Sequence, residues 1–245
     1  MSSRRLKRIA NEIQELNNST EILSNSGIHI YYDDTDMTKI YAMLVGPEKT
    51  PYEKGFYFFE FKYPENYPMS PPLAKYLTQG ILKNPLNNSI YNVRFNPNLY
   101  IDGKVCLSML NTWAGPGWVP TNTMTNVLVA IQALVLNEYP LQNEPGFENA
   151  EKGVLNKYND IIEYANIRIS VIGMINNPPV KCEHFKNIMI DIFLKNIDYY
   201  RNFVLTKHGE KMNALIDSPT YSMKIKLDYD KLIEQIDLLY EKINK

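Results

Sequence analysis

The chain has 245 residues, enough for one domain of ordinary size with a substantial extension or for two domains. Its 26 Lys and Arg nearly cancel 27 Asp and Glu, so the field of a general nucleic-acid binder is missing. With 44% hydrophobic and 22% charged residues the composition is that of a folded soluble protein, and no run approaches the roughly 18 to 20 apolar residues that span a bilayer. The start MSSRRLKRIANEI has no apolar signal core, which sets the expectation of a cytoplasmic or nuclear setting without membrane attachment. Cys106 and Cys182 are the only cysteines and form no CxxC pair, so neither a disulfide framework nor a cysteine-rich metal site is expected.

Leu6, Ile9, Ile13 and Leu16 step by three and four residues, which predicts an amphipathic first helix ending before the polar run Asn17, Asn18, Ser19, Thr20. Its other surface carries Arg4, Arg5, Lys7 and Arg8. Residues 28–77 then change to short β-branched and aromatic runs, at 39–45, 55–63 and 73–77, which read as a meander of antiparallel strands. Gly46, Pro47, Thr50 and Pro51 punctuate one turn, and residues 67–72, YPMSPP, make a stiff extended connector.

Residues 82–120 show neither period and are dense in Asn, Pro and Gly; a long irregular stretch inside a compact domain is usually functional. It ends where Thr121 or Asn122 caps a helix with Val127, Leu128, Ile131, Leu134 and Val135 on its buried stripe. After a second irregular segment, NEYPLQNEPGFE, helical stripes return near Ile161, Tyr164, Ile167, Val171 and Met174, then near Ile188, Ile192 and Phe193, with Pro178 and Pro179 between them. A loop around Asp217, Ser218 and Pro219 precedes a last helix marked by Leu232, Ile236, Leu239 and Ile243.

Chemistry concentrates at Cys106, which sits in the irregular stretch NPNLYIDGKVCLSML, eight residues after Asn98 and beside Lys104. A loop thiol is open to use as a nucleophile, and a nearby lysine cation favours the thiolate; a buried, inert cysteine is the other reading of the same residues. His29, His184 and His208 are scattered and lack metal-ligand spacing, so no general base and no bound metal are expected. That sets the chain apart from a cysteine hydrolase.

In order along residues 1–150, the basic first helix, GPEKTPYEKGFYFFEFKYPENYPMSPP, NPN followed eight residues later by Cys106, and Trp118-Val119-Pro120 opening a helix resemble the catalytic domain of ubiquitin-conjugating enzymes. Within that family, NPNLYIDGKVCLSML, the Thr112-Trp113 insertion and NEPGFE are most similar to the larger Z-type members and to the conjugating domains of giant inhibitor-of-apoptosis proteins. The length and helical tail favour the Z-type. The resemblance implies an α+β fold with an N-terminal helix, an antiparallel meander sheet, a central helix and a helical C-terminal extension. It divides the chain into a catalytic core, 1–150, and an extension, 151–245, packed on it.

The resemblance also implies the activity: Cys106 carries ubiquitin or a ubiquitin-like protein as a thioester received from an activating enzyme, and passes it to a lysine amine of a substrate protein, with or without a ligase. Asn98 would donate its amide to the oxyanion, or fix the loop that bears Cys106; the two roles are compatible. Glu144 would be the acidic gate for the incoming lysine, with Asn143 as a weaker candidate on the same wall. Two positions depart from the usual motif, Asn96 in place of His and Ser108 in place of an acid. Arg4, Arg5 and Arg8 would dock to an acidic groove of the activating enzyme, unless they form an ordinary solvated face, and Met69, Pro120 and Thr121 would form the ligase-binding edge. No cofactor is implied. A non-catalytic ubiquitin-binding scaffold of the same fold is the alternative, although such variants generally lack the nucleophile.

Overall fold

The computed structural model describes residues 3–83, 90–211 and 214–245. The first helix, α1 (Ser3–Asn18), buries Ile9 and Leu16 on the expected stripe and runs through Asn17 and Asn18. The polar run interrupts it for one residue only. A second short helix, α2 (Thr20–Asn25), follows and buries Leu23, and Gly27, at φ +77°, turns the chain into the sheet.

Four strands, β1 (Ile28–Tyr32), β2 (Lys39–Val45), β3 (Phe56–Lys62) and β4 (Leu73–Tyr76), pair antiparallel in sequence order. The register sets Ile30, Ala42, Phe59 and Tyr76 in one row across the sheet. Alternation along a strand sends neighbours to opposite faces, yet Tyr41 and Met43 are as buried as Ile40, Ala42 and Leu44. Both faces of the sheet centre are therefore covered. On one of them Tyr31 stacks on His184 with ring centroids 3.7 Å apart, and Phe58 meets Phe185 at 5.8 Å, both partners coming from the C-terminal part of the chain.

The stretch expected to be irregular contains a small hairpin, β5 (Ile81–Lys83) with β6 (Ile90–Asn92); positions 84–89 of that stretch lie outside the described residues. Beyond it the chain runs to Pro120 through isolated bridges, tight turns and one short helical turn at Ser108–Leu110. The central helix, α3 (Met124–Ala130), is capped by Thr123 in a reciprocal arrangement with Asn126, slightly later than Thr121 or Asn122. It widens at Ile131–Val135, where Leu136 N–H bonds Ile131 C=O at 3.1 Å. Such an i→i+5 bond adds a residue to the turn and shifts the phase of the stripe. Val127, Leu128, Ile131 and Val135 stay buried, whereas Leu134, expected among them, turns out to solvent and is 58% exposed.

The C-terminal part is not helical throughout. Helix α4 (Lys152–Ala165), a second wide turn (Asn166–Val171) and α5 (Ile172–Asn176) run on without a break. After Pro178 and Pro179 come α6 (Lys186–Lys195) and α7 (Ile197–Lys211), then a hairpin of β7 (Leu215–Asp217) and β8 (Lys224–Lys226), then α8 (Tyr229–Ile243). Contacts cross from these elements into the first 150 residues at several depths. Tyr57 donates to Asn166 Oδ1 at 2.7 Å, Asn166 Nδ2 donates to the Glu53 carbonyl at 2.8 Å, and Tyr200 donates to the Lys54 carbonyl at 2.9 Å. A Cβ at Gly55 would lie 1.7 Å from Asn166 Oδ1, so that approach requires glycine.

Candidate active site

Cys106 lies where two limbs of the irregular stretch are tied together. Its N–H donates to the Asn98 carbonyl at 2.8 Å, and Asn98 Nδ2 donates to the Cys106 carbonyl at 2.7 Å. Asn98 thus closes the loop on both sides of the thiol, the fixing role anticipated for it. The Thr112 hydroxyl donates to the Val105 carbonyl at 2.7 Å and accepts from Leu107 N–H at 2.9 Å, which clamps the residues flanking Cys106. Asn111, in the left-handed region at φ +56°, accepts from Trp118 N–H at 2.8 Å, and Trp118 Nε1 donates to the Pro68 carbonyl at 2.8 Å. Trp118 is therefore an anchor of the inserted loop.

Asn96 answers what replaces the usual imidazole. It is fully buried, and its amide nitrogen donates to the Tyr52 hydroxyl at 2.9 Å and to the Val135 carbonyl at 2.6 Å. Its oxygen accepts from Asn98 N–H at 2.8 Å and from Asn143 Nδ2 at 3.4 Å. One side chain binds the end of the central helix, the sheet-side Tyr52 and the backbone of Asn98. An amide has donors and an acceptor together, which this junction needs.

Beside this clamp lies a groove of about 330 Å³ whose walls include Asn98, Ser108, Trp113, Leu134, Asn143 and Glu148. The wide turn in the central helix delivers Leu134 to it, and the inserted loop delivers Trp113, which is 44% exposed. Cys106 itself is 2% exposed, between the groove-lining Leu107 and the backbone of Asn98. Ser108 leaves the wall nearest the thiol uncharged, and the groove's carboxylate is Glu148, which accepts from Gly146 N–H at 2.9 Å.

Glu144 is not on this wall. Its carboxylate accepts a hydrogen bond from Tyr221, in the turn between β7 and β8, so the acidic side chain expected to face the groove points toward the C-terminal part instead. Asn143 is on the wall, as expected for it. Lys104 is exposed, with Nζ 5.4 Å from the Tyr100 ring centroid. The three histidines lie elsewhere: His29 faces a separate cavity, His184 stacks on Tyr31, and His208 pairs with Asp230 at 2.8 Å. Burial pushes the Cys182 thiol up to about 12, which keeps it protonated and inert.

The basic cluster divides. Arg5 is 3% exposed, donates to the Tyr63 and Pro64 carbonyls at 2.8 Å each, and lies 3.4 Å from Glu65. Arg8 pairs with buried Glu12 at 2.7 Å and donates to the Asn122 carbonyl at 2.8 Å. Both guanidiniums fasten α1 to its own domain; the burial of Arg5 corrects its assignment as a docking cation, while Arg8 stays partly exposed. Arg4 and Lys7 are exposed. Met69 is 72% exposed, and Pro120 and Thr121 are exposed nearby, because Trp118 and Arg8 draw the 68 and 122 segments toward the same end of α1.

A family model described as ubiquitin-conjugating enzyme matches residues 8–166. The chain is 38% identical over 219 residues to "Ubiquitin-conjugating enzyme E2 Z" of Homo sapiens, covering 89% of this chain and 58% of that protein. It is 36% identical over 221 residues to the protein of the same name from Xenopus tropicalis, covering 89% and 67%. It is also 37% identical over 186 residues to "Dual E2 ubiquitin-conjugating enzyme/E3 ubiquitin-protein ligase BIRC6" of Homo sapiens, covering 72% of this chain and 4% of that one. The chain therefore spans a little over half the length of the human Z enzyme. Among the described residues no helix is long and apolar enough to cross a membrane.

Proposed function

The chain belongs to the ubiquitin-conjugating enzyme family, and from that membership we propose that Cys106 accepts ubiquitin or a ubiquitin-like modifier from an activating enzyme and passes it to a lysine amine. In the first step Cys106 sulfur attacks the modifier's thioester carbonyl and the activating enzyme's sulfur leaves, so one thioester replaces another. In the second an amine nitrogen attacks the same carbon, the bond to Cys106 breaks, the thiolate departs and the amine loses a proton. The observation that carries this reading is the pair of hydrogen bonds holding Asn98 against Cys106 at the edge of the groove.

In the resting loop the Asn98 amide is spent on the Cys106 carbonyl. To serve the oxyanion it rotates toward the reacting carbon, and its loss would cost roughly 3–4 kcal/mol of transition-state stabilisation, as for other oxyanion donors. Glu148 takes the role first assigned to Glu144: a carboxylate in the groove that orients the incoming ammonium and draws off its proton. Trp113 and Leu134 give the modifier's tail an apolar wall.

Arg4 and Lys7 remain as cations for an acidic activating enzyme, and Met69, Pro120 and Thr121 as the edge for a ligase. Residues 151–245 act as an extension packed on the core, in a cytoplasmic or nuclear setting that keeps both cysteines reduced. A scaffold without catalysis is the second reading, favoured by the 2% exposure of Cys106. A charging panel of activating enzymes and modifiers with ATP separates the two: a thiol-reducible adduct supports transfer, and binding without any adduct supports the scaffold.

A further inference from the structure

Arg94 joins the C-terminal part of the chain to the loop that bears Asn98. Its N–H meets the Met223 sulfur at 3.3 Å, and its carbonyl accepts from the Tyr158 hydroxyl at 2.5 Å. Its guanidinium lies between two rings, 3.6 Å from the centroid of Tyr100 and 4.9 Å from that of Tyr221. The guanidinium fork then reaches the loop that bears Asn98, with Nε donating to the Asn96 carbonyl at 3.1 Å and Nη2 to the Pro97 carbonyl at 2.7 Å. A lysine in its place has one donor centre and no plane to stack, so it holds neither arrangement as well.

Tyr221 also touches the other wall. Its hydroxyl donates to Glu144, whose neighbours Asn143, Pro145 and Glu148 line the groove. Tyr221 and Ser222 both take left-handed backbone conformations, at φ +61° and +52°, which residues with a β-carbon seldom adopt. The contacts of the tyrosine side chain offset that cost. Burial and then the Glu144 carboxylate push the phenol above its ordinary value, so it remains a donor.

We infer that the turn between β7 and β8 is a strap across the active site, with Tyr221 and Arg94 as positioning residues that set Asn98 and the 143–148 wall for the aminolysis step. This role rests on the proposed acyl transfer and deepens it: the extension governs discharge of the thioester and not its formation. Formation needs the Cys106 sulfur, 2% exposed in the resting loop, to be uncovered for the incoming thioester. Discharge needs Asn98 aimed at the oxyanion.

The test follows charged protein in single-turnover discharge to free lysine for Tyr221→Phe, Tyr221→Ala, Arg94→Lys and Glu144→Gln, alone and, for Tyr221→Ala, combined with Asn98→Ala. Charging is expected to stay within about twofold throughout, while the maximal discharge rate of Tyr221→Ala and Arg94→Lys falls about tenfold or more without a change in KM for lysine. Tyr221→Phe, which keeps the ring and loses the hydroxyl, falls between them and the wild type. Glu144→Gln keeps an acceptor for Tyr221 but loses the charge that strengthens the bond, and should slow discharge less than Tyr221→Phe does. The double variant should be slower than Asn98→Ala alone by much less than the tenfold that Tyr221→Ala costs by itself, because most of that effect passes through Asn98. Amide exchange of residues 96–107 should also quicken about tenfold in Tyr221→Ala.

Wild-type discharge and wild-type exchange in Tyr221→Ala would overturn the strap, as would a double variant slowed by the full product of the two effects. If the wild type accepts no modifier, the acyl-transfer reading fails, and the exchange rates still decide the strap: quickened exchange upholds the coupling to Asn98, and unchanged exchange overturns it.

Discussion

Replacing Asn96 by Ala removes four hydrogen bonds from a site without water access. The Tyr52 hydroxyl keeps its bond to the Phe95 carbonyl at 2.7 Å, and the 3.4 Å contact with Asn143 is weak, so two losses dominate. The Asn98 N–H and the Val135 carbonyl are left buried without a partner, at about 1–3 kcal/mol each. The expected loss is therefore about 4 kcal/mol, and with a urea slope of about 3 kcal/mol per molar the unfolding midpoint should fall by about 1–2 M. Asn96→Asp divides the effect: it keeps an acceptor for Asn98 but sets a carboxylate against the Val135 carbonyl, and should be no more stable than the alanine variant. Urea unfolding followed by fluorescence and circular dichroism measures both. An alanine midpoint within about 0.3 M of the wild type, or an aspartate variant of wild-type stability, would refute the reasoning that this amide holds the junction.

Other consequences follow from single groups. Glu12 is 2% exposed and accepts from Arg8, Tyr67 and Met124 N–H, so Glu12→Ala should lower unfolding free energy by about 3–4 kcal/mol, read by denaturant titration. Glu148→Gln should slow lysine discharge about tenfold near neutral pH while leaving charging intact; an unchanged discharge rate would remove Glu148 from the mechanism. Burial holds His29 below its ordinary 6.5. Below pH 6.5 the unfolded chain takes up a proton that the folded one refuses, so stability is full above that pH and declines as pH drops toward the lowered value. His29→Gln should flatten that decline in denaturation curves measured across the range.

The sheet was legible because its strands fall on short β-branched and aromatic runs set off by turn residues. The thiol and its neighbour Asn98 were legible as a motif at fixed spacing. Leu134 was misplaced because a wide turn changes the helical phase, a shift that a periodic pattern read at constant pitch cannot register. Helix α7 went unread because its apolar residues do not form a single stripe, and β7 with β8 because three-residue strands carry little pattern.

Arg5 and Glu144 show a different limit. Composition marks a residue as charged, but only the fold decides whether the charge meets a partner molecule or its own chain. Arg5 turns inward to two carbonyls of the YPENYP connector, and Glu144 turns to a tyrosine 77 residues away. The groove's own carboxylate, Glu148, stands in the same NEPGFE segment; a groove wall contributed from that segment was anticipated, but which of its two acids faces inward depends on the turn at Gly146, at φ +91°.

The most direct measurement is to charge the protein with an activating enzyme, ATP and modifier and map the adduct by intact-mass and peptide analysis in four forms. Wild type and Cys182→Ser should give one thiol-reducible adduct, because Cys182 is fully buried with its thiol pushed up to about 12. Cys106→Ser should give an ester that resists thiols and yields to hydroxide, or no adduct, and Cys106→Ala should give none. An adduct that persists in Cys106→Ala, or the absence of any adduct across the known modifiers, would contradict the assignment of Cys106 as the acyl carrier.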